Sequence, residues 1–216
     1  MKSRRFHLIP LVLAAALATP ALAADSPAAV NARFVADDAP EAADIRAQGE
    51  NAINRLAITL VREVTNAVAK DGAEAAVDVC HLKNLTTTKG VIDGLPRITA
   101  VKKTSLRLRN PANAPDAADQ LALEQFKQQM DNGDAPSPIL IQRVEPAGGA
   151  PEWRVYKPLG VAPKCMLCHG DSADQSPGLR AKLAKLYPTD LAAGYSTGEW
   201  RGVLRVTVAE APAKKP

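Results

Sequence analysis

The sequence predicts an α+β protein with one domain: helices first, then an antiparallel-looking sheet with a helix inserted into it. Three observations carry this. From Glu41 to Lys70, Ile45, Ile53, Leu56, Leu60, Val64 and Val68 recur at three- and four-residue steps with charged residues between them, the period of an amphipathic helix. Farther on, runs rich in β-branched and aromatic residues at 98–108, 139–141, 153–156 and 200–208 read as strands. Between the first two, Asp116 stands where it can cap a helix carrying Leu121, Leu123, Phe126 and Met130.

The chain begins with Met1-Lys2-Ser3-Arg4-Arg5, a positively charged start, followed by an apolar run from Leu8 to Ala18 and the small-residue site Ala21-Leu22-Ala23. This is the pattern of a secretory signal peptide, assigned to residues 1–23 with cleavage after Ala23. The Arg4-Arg5 pair also fits the twin-arginine route, but the general secretory route is the one expected, and an uncleaved membrane anchor is the competing reading. The run is short for an anchor and is broken by Pro10, so cleavage and a periplasmic or secreted location are expected. Residues 24–40, rich in Ala, Pro and Asp without periodicity, read as a flexible tether.

The folded domain is assigned to residues 41–210. Asp71-Gly72 is expected to end the first helix, because Gly is the usual helix stop. A second helix runs from Ala73 to about Leu85. Thr86–Gly90 and Gly94-Leu95-Pro96 read as loops, and a strand follows over Ile98–Leu108. The two prolines of Asn110-Pro111-Ala112-Asn113-Ala114-Pro115 exclude a central strand there. Ile139-Leu140-Ile141 and Trp153–Tyr156 flank a Gly148-Gly149 turn. Leu179, Leu183 and Leu186 mark a short helix, Trp200 to Val208 a last strand, and 211–216 a disordered tail.

The formal charge of the full chain is +4, and removing Lys2, Arg4 and Arg5 with the signal leaves about +1. The basic balance belongs mostly to the signal, so nothing electrostatic points to nucleic acid. No run after the signal is long and apolar enough to cross a membrane.

The chemistry concentrates in Cys165-Met166-Leu167-Cys168-His169, followed by Gly170. Two cysteines three apart with a histidine immediately after is the pattern for attaching c-type haem. Each thiol adds to one porphyrin vinyl group, and the histidine is held beneath the iron as the proximal ligand. An export signal is the context this motif needs, since haem is attached outside the cytoplasm. Competing readings are a redox disulfide, for which no βαβ thioredoxin unit precedes the motif, and chance. A zinc site of Cys80, Cys165, Cys168 and His169 is a third, weakened because neighbours such as Cys168 and His169 rarely reach one tetrahedral metal. Aromatic residues are only 4% of the chain, and a porphyrin can supply the apolar volume they usually provide.

No methionine follows Met166, so a second axial ligand must come from upstream or from outside the chain. The candidates are Cys80, His81 and Met130. Cys80 is the odd thiol once haem takes two, although most free cysteines are simply small buried residues. On a helix from Ala73 it shares a face with Ala76 and Val77, whereas His81 turns toward Glu74 and Asp78. Met130 falls on the apolar face with Leu123 and Phe126, where core packing accounts for it. Two haem propionates need donors, and arginine forks suit carboxylates, so Arg107 or Arg109 is expected near them. The competing reading leaves both on one solvated strand face.

The chain resembles the PAS-like single-haem-c domains of exported bacterial and cyanobacterial proteins, from about Ala42 to Val208. The resemblance rests on Ala76-Val77-Asp78-Val79-Cys80, on Ser105–Pro111 with Asn113 and Pro115, and on Cys165–Gly170. Tyr187-Pro188, Gly194-Tyr195 and Arg201-Gly202 complete it. It implies a PAS-like antiparallel sheet with flanking N-terminal helices. It also implies one covalent haem c ligated by His169 and the Cys80 sulfur. Here His81 directly follows that cysteine and is retained as the alternative distal ligand.

Such a site suits redox or small-ligand sensing, because a ligand that leaves on reduction opens the iron to CO or NO. The alternative is a periplasmic electron-transfer cytochrome with fixed ligands. No second catalytic group with a signature is present, so an enzyme is not expected. With no output domain in the sequence, a separate redox or signalling partner protein is.

Overall fold

The computed structural model describes residues 31–36, 38–80, 94–95, 97–146 and 148–211. Helix α1 spans Ala43–Val79. Its apolar stripe buries Ile45, Ala52, Ile53 and Leu56 against one face of a sheet, as the periodicity requires. Gly49 lies on the same stripe, so close to the sheet that an added Cβ would stand 2.5 Å from a Val155 methyl. The expected break is present: Gly72 takes φ 83° and ψ 176°, outside helical space, and the helix resumes at once. α1 is therefore two helices joined at a sharp kink, the second ending at Val79 with Cys80 as its cap.

The sheet has five strands in the order β1-β3-β4-β5-β2. They are β1 Asn31–Val35, β2 Ile98–Thr104, β3 Leu140–Glu145, β4 Glu152–Gly160 and β5 Trp200–Ala209, and every pair is antiparallel. The register sets Ile141 opposite Val155 and Val155 opposite Val206. Alternation along the strands divides the sheet into two faces. Ile141, Trp153, Val155, Leu204, Val206 and Val208 meet α1. Tyr156 and Val203 point the other way and meet Ala122, Leu123 and Phe126 of helix α2, Ala117–Asp131. Met130 packs at the edge of that cluster, as expected for a core residue.

Asp116 caps α2 as anticipated, and Asp119 returns the hydrogen bond to complete a capping box. Asp119 is fully buried, with the Lys102 ammonium at 2.7 Å, and Tyr156 donates its hydroxyl to it at 3.2 Å. Arg154, at 3.4 Å, also forks onto Asp116 and Glu152.

Two expectations are corrected. Residues 31–35, read as part of the tether, form edge strand β1. Only Val35 is buried there and Phe34 stays exposed, so no alternation marks it. β2 also ends at Thr104 rather than Leu108, because Ser105 turns the chain by accepting from the Arg107 amide and donating to its carbonyl. Arg107 and Arg109 are therefore on a loop and share no strand face. The signal, His81 with the rest of the stretch to Leu85 expected to continue the second helix, and residues 212–216 of the tail lie outside the described residues. Among the described residues, no helix is long and apolar enough to cross a membrane.

Candidate functional site

Pro163 and Lys164 lead from β4 into a short helix, α3, Met166–His169. α4, Pro177–Leu186, follows, with Ser176 capping it. A cavity of about 440 Å³ opens between α3, the kinked end of α1 and the end of β2. Cys165, Cys168 and His169 line one part of it, and Cys80 with Ala76 and Val77 another. The stripe Leu60, Val61, Val64 and Val68 of α1 supplies an apolar wall. The kink at Gly72 turns the segment carrying Cys80, and α4 holds it there. Lys182 donates to the Glu74 carbonyl at 2.7 Å and pairs with Asp78 at 2.6 Å, and Ser176 donates to Glu74.

His169 is buried, with Nδ1 2.7 Å from the carbonyl oxygen of Ala192. A carbonyl can only accept, so Nδ1 carries the proton and Nε2 keeps its lone pair. Burial, then the nearby Arg109 and Arg201 charges, push the imidazole pKa down to about 3, so the ring is neutral at physiological pH. Tyr195 stands edge-on to it, ring centroids 6.3 Å apart. Burial also raises the Cys168 thiol above its ordinary value. The ends of the motif are clasped by the segment before β5. Tyr195 N–H donates to the His169 carbonyl at 2.9 Å and Gly194 N–H to that of Gly170 at 2.8 Å.

The chain belongs to the Tll0287-like family. The family model described as Tll0287-like matches residues 32–209. The crystal structure of the cyanobacterial haem-protein Tll0287 aligns with 80% of this chain and 98% of its own, at 20% identity and a TM-score of 0.53. At that identity the likeness shows the fold, consistent with the PAS-like α+β layout expected from the motifs. No curated protein matches the sequence.

Of the anticipated residues, Cys80, Cys165, Cys168, His169 and Arg109 line one cavity. Arg107 stacks its guanidinium 4.0 Å from the Tyr195 ring centroid and donates to the carbonyls of Leu191 and Ala193. Arg109 pairs with Asp190 at 2.8 Å and donates to the carbonyls of Cys168 and Ala192. Three of its five N–H donors are thus committed, and a propionate contact would use the remaining two. No group of three or more His, Cys, Asp and Glu side chains among the described residues is gathered to hold a metal ion.

Two cavity residues escaped the sequence. Lys103 reaches toward Cys80, and Arg201 donates to Ser105 Oγ at 2.6 Å and to the Arg107 carbonyl at 2.9 Å. The Nε of Arg201 is buried with no hydrogen-bond partner among the described residues. Arg201-Gly202 stood out as a motif, but nothing in sequence assigned the arginine a role.

Proposed function

We propose that this chain carries one haem c, joined by thioethers to Cys165 and Cys168, with His169 as proximal and Cys80 as distal iron ligand. The observation that carries the reading is one apolar cavity lined together by both motif cysteines, the motif histidine and the leftover cysteine. The donor set fits the group. His169 offers Nε2 while Ala192 holds its other nitrogen, and the cavity volume falls within the usual range for ligand pockets. The unpaired Arg201 Nε, with Lys103 and the uncommitted nitrogen of Arg109, provides donors for carboxylates. That the similar cyanobacterial structure is of a haem protein supports the same reading.

The haem, when bound, supplies a one-electron iron couple. The residues of the chain do the rest. The cysteines fix the porphyrin, Ala192 orients the imidazole, the α1 stripe excludes water, and Lys103 offsets charge on the Cys80 sulfur. A thiolate donor favours the ferric state and weakens when protonated, which suits redox or small-ligand sensing. The second reading, a periplasmic electron carrier, is favoured by the exposure of Leu167 beside the attachment cysteines. We read the protein as exported and non-enzymatic, acting through a separate redox or signalling partner.

Ferric and ferrous absorption spectra of the exported, haem-loaded protein test this. Low-spin ferric haem with near-ultraviolet thiolate bands, lost on reduction with uptake of CO, is the sensing outcome. Fixed ligands in both states and no CO uptake are the carrier outcome. A protein that matures with zinc and no porphyrin overturns both.

A further inference from the structure

The carbonyl oxygen of Ala192 accepts two hydrogen bonds. His169 Nδ1 lies 2.7 Å away, and Arg109 donates from 3.1 Å. The same guanidinium nitrogen donates to the Cys168 carbonyl at 2.6 Å, so one arginine touches both the motif backbone and the acceptor of its histidine. Asp190 locks the arrangement from the far side: Oδ2 pairs with Arg109 Nε at 2.8 Å and Oδ1 accepts from the Ala192 amide at 2.7 Å. Both side chains are largely buried, 13% and 16% exposed, so solvent screens this pair poorly.

We propose that Arg109, held by Asp190, is a positioning residue that sets the donor strength of His169 through the Ala192 carbonyl. This rests on the haem reading above. A carbonyl that also accepts from a cation has less electron density to offer the Nδ1 proton. The imidazole keeps its proton more fully and gives less charge to the iron, which raises the reduction potential. The backbone ties from Tyr195 and Gly194 to the motif do not pass through Arg109, so the clasp survives its loss.

The test uses haem-loaded Arg109→Gln, Arg109→Leu and Arg109→Lys, with covalent haem, midpoint potential and the Nδ1 proton resonance of His169 in the reduced protein read on each. Gln and Leu should retain haem, lower the potential and move the Nδ1 resonance downfield as its hydrogen bond strengthens. Lys, which keeps the cation, should fall between them and wild type. Asp190→Asn, which frees the arginine, should move the Nδ1 resonance the same way by less, while the loss of its own charge acts on the potential in the opposite direction. Haem-loaded Gln and Leu variants with the wild-type potential overturn the proposal. So does a lowered potential with an unmoved Nδ1 resonance, which marks a through-space charge effect alone. A wild-type protein that takes up no haem refutes the haem reading instead.

Discussion

The Lys103 ammonium lies 3.8 Å from Cys80 Sγ and 3.4 Å from the Cys80 carbonyl oxygen, on the wall of the cavity. A cation at that distance stabilises a thiolate and draws charge from it. Lys103→Met should leave the thiolate bands in place and lower the midpoint potential by roughly 1 kcal/mol after solvent screening, or about 40 mV for one electron. Spectroelectrochemistry checks this, and an unchanged or raised potential contradicts it.

Cys80 lines the cavity with Ala76 and Val77, as its helical face required. Cys80→Ser should lose the ferric thiolate bands and raise the potential, because a charged donor has gone. His81→Ala should leave the ferric spectrum nearly unchanged. The reverse pattern assigns the distal position to His81.

The contact between Gly49 and Val155 makes α1 sit tight on β4. Gly49→Ala should destabilise the fold by about 1–3 kcal/mol despite alanine's better helix propensity, since the new methyl meets three Val155 carbons at 2.5–2.7 Å. Urea denaturation measures it. Val155→Ala should make the two substitutions cost less together than their separate costs added. Additive costs contradict the packing account.

Burial pushes the Asp116 carboxyl up, but the hydrogen bonds from Arg154 and the Asp119 amide outweigh it and hold the group below the usual carboxylate range. A lowered folded pKa stabilises the protein above about pH 4, and that stabilisation disappears as pH falls through the folded value. The melting temperature of Asp116→Asn should therefore lie below wild type at pH 6, and the gap should close below about pH 4. An equal gap at pH 3 and pH 6 contradicts this.

Local patterns made much of the fold legible. Gly72 at the kink, Asp116 at the cap and the alternation of 153–156 and 200–208 each mark their element within a few residues. Strand β1 was hidden because an edge strand with one buried side chain has no period to detect. In the site, the cysteines and His169 were legible because side-chain chemistry names them. Ala192 was not, since it contributes only a backbone carbonyl that any residue could supply. The roles of Arg107 and Arg109 were hidden likewise, because their partners are carbonyls and carboxylates more than eighty residues later, apart from Cys168, fifty-nine residues on.

The most direct test of the account is the intact mass of the exported protein, matured in a host that attaches haem c, after acid–acetone extraction. The expected mass is that of the polypeptide from residue 24 plus one haem, and that of the bare polypeptide when Cys165 and Cys168 are both replaced by alanine. A wild-type mass equal to the bare polypeptide, or to the polypeptide with zinc, contradicts it.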